Sequence, residues 1–202
     1  MPTFTETPKL TTRFEAALVY TARLHAYQVR KGSGIPYISH LLSVAALVLE
    51  DGGDEDEAIA ALLHDAIEDQ GGAKTREEIR QRFGERVVSI VDGCTDSETL
   101  PKPPWKERKL HYLEKVRLAP QEVQRVSLAD KLHNARSIVA DWEREGENVW
   151  QKFQGGKQGT LWFYRRLLEI YQQKGFSAER SRSANFLTQE LARLITRLEV
   201  IC

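Results

Sequence analysis

Apolar residues recur along this chain with a helical period. Phe14, Ala17, Leu18, Thr21 and Leu24 form one stripe. Thr12-Arg-Phe-Glu15 opens it with a capping-box pattern, and the run predicts a helix to about Tyr27. Arg30 to Pro36 follows as a loop, punctuated by two glycines and a proline. A second helix is expected from about Ser39 to Glu50, stopped by Gly52 and Gly53. Asp54 to Glu57 caps a third, expected to run unbroken to about Asp69 before Gly71 and Gly72. Thr75 to Glu78 caps a fourth that ends at Gly84, and Glu85 to Asp92 is a short fifth. Thr95 to Pro104 holds three prolines and reads as a long surface loop. Helices resume over Trp105–Leu118 and from Gln121 to about Trp142. A glycine-rich loop, Gln154 to Gly159, precedes two last helices over Thr160–Gln173 and Ser177–Val200. No segment alternates with period two, and no repeat or linker divides the chain. The pattern predicts an all-α globule of roughly eight helices, one domain over residues 1–202.

Composition narrows the function classes. The 202 residues are 41% apolar and 29% charged, ordinary for a globular chain. Lys and Arg number 29 and Asp and Glu 29, so the net charge is zero. That argues against gripping a nucleic-acid polymer, while leaving room for a local basic pocket. Cys94 and Cys202 make no disulfide framework, which points to a reducing compartment. Met1 to Leu10 has two prolines and no apolar run, so no secretory signal is visible. The longest nearly apolar stretch, Leu41 to Leu49, is too short to span a bilayer. A cytoplasmic protein without a membrane partner is expected.

Three features carry chemistry. On the third helix Ile59, Leu62, Leu63, Ala66 and Ile67 form the core stripe, and His64, Asp65, Glu68 and Asp69 fall on the opposite face. Most charged helix faces are simply solvated. Three carboxylates and an imidazole within six residues nevertheless repel at neutral pH, and a bound cation relieves that repulsion. In the helix from Gln121, Asp130, Asn134, Ser137 and Asp141 make a narrow polar stripe between apolar flanks. His40 stands at the start of the second helix, where a lone histidine is more often a cap or a core residue than a ligand. Together His40, His64, Asp65 and Asp130 offer a mixed nitrogen and oxygen set, suited to Mn²⁺, Fe²⁺ or Zn²⁺. Such an ion acidifies water. Glu68 and Asp69, one turn beyond the His64-Asp65 pair, are placed to orient that water or take its proton.

These motifs in order resemble the HD-domain metal phosphohydrolases, and within them the hydrolase domain of the RelA/SpoT homologues, especially the stand-alone small alarmone hydrolases. The resemblance rests on Arg30-Lys31 and Gly34 to His40, then Ala61 to Asp69 with its His-Asp-x-x-Glu-Asp core. It continues through Phe83-Gly84, Asp92-Gly93 with Thr95, Leu100 to Lys102, Lys106 to Lys109, and Leu128 to Asn134. It runs from about Phe14 to Tyr171; the helix expected over residues 177–200 is an addition. The family usually has Pro after its first metal histidine and often Thr after the Glu-Asp pair, where this chain has Leu41 and Gln70.

The resemblance implies removal of the 3′-pyrophosphate of guanosine 3′,5′-bispyrophosphate, yielding GDP or GTP and pyrophosphate. It implies one Mn²⁺ held by His40, His64, Asp65 and Asp130, with Glu68 and Asp69 as the catalytic pair. Substrate contacts are expected from Arg30, Lys31, Tyr37, Lys106, Arg108, Lys109, Lys131 and Asn134. Arg23 and Lys102 also lie in the two basic stretches, though ordinary solvated charge explains them as well. Trp162, and beside it Tyr164, is placed where an aromatic could stack on the base, although most such aromatics are core. The chain is short for the family's synthetase and regulatory domains, so a hydrolase alone is expected. An adenosine alarmone or a nicotinamide dinucleotide phosphate as substrate stays open, as does a nucleotide-binding regulator with a vestigial site. No residue reads guanine unambiguously, and the oligomeric state is not legible.

Overall fold

A computed structural model of the chain describes residues 10–96, 101, 103–173 and 184–200. It is all-α: among the described residues there are ten α-helices, one 3₁₀ helix and no strand, only an isolated bridge between Val29 and Pro36. Lys102, half of the proline-rich loop and the start of the expected last helix lie outside the described residues.

Local chemistry accounts for most of the helix ends. Helix α1 (Thr12–Leu24) is capped by Thr11, whose side chain accepts from Arg13 N. The cap therefore sits one residue earlier than the Thr12 pattern suggests, and Thr11 N is turned instead to Glu55. Helix α2 (Ile38–Glu50) follows the glycine-bearing loop. Helix α3 (Glu55–Leu63) opens with a complete capping box: Asp54 accepts from Glu57 N, and Glu57 accepts from Asp54 N. The predicted single helix to Asp69 is broken. The ladder lapses at His64 and Asp65, and a one-turn helix α4 (Ala66–Asp69) restarts from Asp65. Helix α5 (Ala73–Phe83) begins after Gly72, two residues before the Thr75 signal. Thr75 lies inside the helix and donates its hydroxyl to Gln70 O, so it ties the turn rather than capping it.

Helices α6 (Glu85–Cys94), α7 (Trp105–Leu118) and α8 (Gln121–Glu145) follow, and α8 is three residues longer than expected. A 3₁₀ turn (Gly146–Lys152) leads to α9 (Gly156–Gln173), and α10 (Ala184–Val200) ends the described chain. The predicted glycine-rich loop is partly helical, because α9 starts at Gly156. Gly155 is needed for a close approach: a Cβ there would meet the Trp105 ring at 2.6 Å.

The core is built around α3 and α8. Every residue from Ala58 to Leu63 is fully buried, so beyond its acidic first turn α3 presents no polar face. Helix α2 packs on α3 and α8, α6 packs on α3 and α8, and α10 packs on α8 and α9. This brings the N-terminus of α2, the α3–α4 break and the middle of α8 to one place. Among the described residues no helix is long and apolar enough to cross a membrane.

Candidate active site

His40 on α2, His64 and Asp65 at the α3–α4 break, and Asp130 in mid-α8 meet. His40 Nε2 lies 3.2 Å from Asp130 Oδ1 and 3.8 Å from Asp65 Oδ2. His64 Nε2 lies 3.0 Å from Asp65 Oδ2 and 3.6 Å from Asp130 Oδ1. Ligand atoms of His40, His64 and Asp65 all fall within 4.8 Å of one another. The helical wheel set His64 on the face opposite the core stripe; it is instead buried, at 2% exposure. The break at residues 64–65 is what turns it and Asp65 toward α2 and α8.

The donors are held from behind. His64 Nδ1 is 2.7 Å from Ala61 O, and His40 Nδ1 is 2.8 Å from His133 Nδ1. The Tyr37 hydroxyl donates to Asp65 Oδ2 at 2.6 Å. Lys131 and Asn134 donate to the two oxygens of Asp130, and Arg30 donates to Asn134 Oδ1 at 2.7 Å. What is left unsatisfied is His40 Nε2 and His64 Nε2, both buried without a hydrogen-bond partner. Two orphaned imidazole nitrogens beside two carboxylates fit a borderline divalent cation.

Electrostatics agree with that fit. Burial alone would push His64 below its ordinary pKa, but the Asp65 and Asp130 carboxylates outweigh it and hold the pKa well above. Burial raises the Asp130 carboxyl, but the Lys131 ammonium and the two imidazoles overcome that and hold it well below the usual range. Asp65 is likewise lowered against burial, chiefly by the charge on His64. His40 is lowered, by burial first. His133 is pushed down to about 4 by burial, then by His40 and Arg30. The site thus concentrates negative charge, which a bound cation would offset.

Beside this cluster opens a cavity of about 610 Å³. Tyr37, Lys131, His133 and Asn134 line it, and each is hydrogen-bonded to one of the four clustered residues. Among the described residues its wall carries seven Lys and Arg side chains and one carboxylate, Asp141, although the whole chain is neutral. Arg30, Lys31, Arg108 and Lys109 are among the seven. Arg108 and Lys109 both donate to Asp96 Oδ2. Trp105, Phe153, Phe163 and Tyr164 supply an aromatic side.

Several expected residues stand elsewhere. Lys106 and Trp162 do not line the cavity; the ammonium sits 2.9 Å from the Trp162 ring centroid, so the two satisfy each other by a cation–π contact. Neither Glu68 nor Asp69 lines it. Glu68 accepts from Asp96 N at 3.2 Å. Asp69 accepts from Gln28 Nε2 at 2.8 Å, and Gln28 Oε1 faces His25 Nδ1 at 2.6 Å. Burial first, then the charge on Asp65, raises the Asp69 carboxyl. Arg23 borders a separate groove with Tyr20 and Arg82, away from Arg30 and Lys31.

Sequence reasoning passed over His133, Asp96, Arg144 and Lys152. The signal for His133 was present: it is three residues from Asp130, on the same side of α8. Asp96, Arg144 and Lys152 reach the region through loop and helix-end geometry that no spacing encodes.

Residues 17–161 match the HD domain family. The chain belongs to the HD-domain family. Within it, the chain is similar to guanosine-3′,5′-bis(diphosphate) 3′-pyrophosphohydrolase MESH1 of Xenopus tropicalis, 42% identical over 132 residues, 61% of this chain and 71% of that one. A guanosine-3′,5′-bis(diphosphate) 3′-pyrophosphohydrolase of Aquifex aeolicus is 38% identical over 145 residues, 70% of this chain but only 20% of that much longer protein. Of solved structures, one titled as a metazoan ortholog of SpoT that hydrolyzes ppGpp superposes with a TM-score of 0.72 over 94% of this chain and 97% of that one. Its identity is 24%, so that likeness concerns the fold. The crystal structure of lmo0812 from Listeria monocytogenes EGD-e is 33% identical, with a TM-score of 0.66, over 79% of this chain and 97% of that one.

Proposed function

We propose that this HD-family chain is a metal-dependent hydrolase that removes the 3′-pyrophosphate of guanosine 3′,5′-bispyrophosphate, giving GDP, or GTP from the pentaphosphate, and pyrophosphate. The observation that carries the reading is the junction of a two-imidazole, two-carboxylate cluster with a basic, aromatic-sided cavity of about 610 Å³. A cavity of that size suits a nucleotide, and seven cations suit one that bears several phosphates. The names of the Xenopus tropicalis and Aquifex aeolicus relatives support the same substrate.

His40, His64, Asp65 and Asp130 would hold the ion, with Mn²⁺ the expected species. When bound, a divalent ion supplies Lewis acidity, lowering the pKa of water and drawing charge from phosphoryl oxygen. The chain's own groups do the rest. Tyr37, Lys131 and Asn134 fix the two carboxylates. Arg30, Lys31, Arg108 and Lys109 screen the phosphates. Asp69, its pKa raised and its Oδ2 fixed by Gln28, takes and returns a proton, with Glu68 beside it. The aromatic side shelters the base. The whole chain acts as a single hydrolase domain in the cytoplasm.

The test is a panel of nucleotides incubated with the Mn²⁺-loaded protein, products resolved by anion exchange. Loss of pyrophosphate from the guanosine compound is expected, and little from a simple mononucleotide. Equal turnover of mononucleotides would make it a general phosphatase. Turnover of the adenosine counterpart alone would keep the chemistry and overturn the base.

A further inference from the structure

The two imidazoles of the site are held by different kinds of partner. His64 Nδ1 faces a backbone carbonyl, Ala61 O, at 2.7 Å. A carbonyl can only accept, so the proton sits on Nδ1 and Nε2 presents its lone pair. Behind His40 stands no such fixed acceptor. Its Nδ1 faces Nδ1 of His133 at 2.8 Å, with ring centroids 4.8 Å apart. Two nitrogens at this distance share one proton, and either ring can donate it.

The choice matters. With the shared proton on His133, neutral His40 carries its own proton on Nε2, between Asp65 and Asp130, and has no lone pair to offer an ion. With the proton on His40 Nδ1, Nε2 is a ligand. We propose that His133 is a positioning residue of the metal site: its Nδ1 accepts the Nδ1–H of His40 and fixes the tautomer that turns His40 Nε2 to the ion. The inference rests on the metal reading proposed above and adds a residue to it. It also leaves His133 with a single donor, Nε2–H, on a side chain that lines the cavity. An oxygen of an anionic ligand that accepts this N–H polarises the His133 ring and strengthens its hold on His40.

Three substitutions separate an acceptor from a filler. His133→Phe keeps a flat ring and removes the acceptor. His133→Asn restores an acceptor oxygen at the δ position, as many bonds from Cα as Nδ1. His133→Gln carries its oxygen one bond further out. Calorimetric titration with Mn²⁺ alone should show His133→Phe binding roughly ten- to a hundredfold more weakly. His133→Asn should recover most of that loss, and His133→Gln less. No loss in His133→Phe, or the same loss in all three, overturns the inference. Independently of any variant, the ¹⁵N-labelled, Zn²⁺-loaded protein should show a scalar coupling between the two Nδ1 atoms, with the proton bonded to His40. A proton bonded to His133 overturns it as well. A protein that binds neither Mn²⁺ nor Zn²⁺ overturns the metal reading itself; one that binds both and is indifferent to His133→Phe overturns only the role of His133.

Discussion

Asp69 is fixed by a chain of two hydrogen bonds, from Gln28 Nε2 to its Oδ2 and between Gln28 Oε1 and His25 Nδ1. Its carboxyl is raised, and its Oδ2 is engaged by Gln28, not by His40 or His64. Asp69→Asn should therefore cut turnover by ~10²–10⁴ while Mn²⁺ affinity is retained. Calorimetry beside single-turnover kinetics checks both halves; near-full activity would move the proton elsewhere. The basic residues divide in the same residue-by-residue way. Lys109 lines the cavity and Lys106 is spent on Trp162. Lys109→Ala should raise KM about ten- to a hundredfold with kcat nearly kept, since a charge-assisted contact made equally in ground and transition states is worth ~1.5–3 kcal/mol. Lys106→Ala should leave KM close to unchanged. Steady-state kinetics on the bispyrophosphate distinguishes the two.

At the scale of elements, Asp96 ties the end of α6 to α7. Its Oδ2 accepts from Arg108 and Lys109, and its backbone N–H reaches Glu68 on α4. Burial pushes the Asp96 carboxyl up, but the Lys109 and Arg108 charges prevail and hold it below the ordinary range. Lys109 is itself lowered, by burial and by Lys131 before Asp96 can raise it, so the pair's stabilising share is read from the carboxylate. A carboxyl with a depressed folded pKa contributes stability that is complete above its unfolded pKa and is lost as pH falls through the folded one. Asp96→Asn should cost on the order of 1.5–3 kcal/mol at neutral pH. The gap between variant and unmodified protein should narrow below about pH 4, where the unfolded carboxyl titrates. Urea melts across that range measure it, and a gap independent of pH would remove the ion pair from the account.

For the molecule as a whole, three separate segments converge on one charged cluster, so an ion that binds only the folded arrangement must stabilise it. Mn²⁺ at a hundredfold excess over its Kd should add about 2.7 kcal/mol, roughly 5–10 °C in Tm for a chain of this size. Asp130→Ala should erase that increment. Thermal melts with and without Mn²⁺ decide it, and an unchanged Tm in the unmodified protein would count against the site.

The sequence by itself determined the helical class, most helix ends and the identity of the four clustered residues. Period and capping are local, and the distinctive polar residues stood out as narrow stripes, as with Asp130 and Asn134 between the apolar flanks of α8. It misjudged the α3–α4 segment because helical period assumes an unbroken ladder. Only the packing of α2, α3 and α8 decided that the chain gives up hydrogen bonds at His64 and Asp65 to bury an imidazole against His40. It likewise could not sort cavity cations from spent ones. Lys106 and Lys109 lie three apart on one helix, and which of them meets the cavity depends on where α9 lays Trp162. The partner of His40 was hidden for the same reason: a contact between residues 93 positions apart exists only once α2 and α8 are packed together.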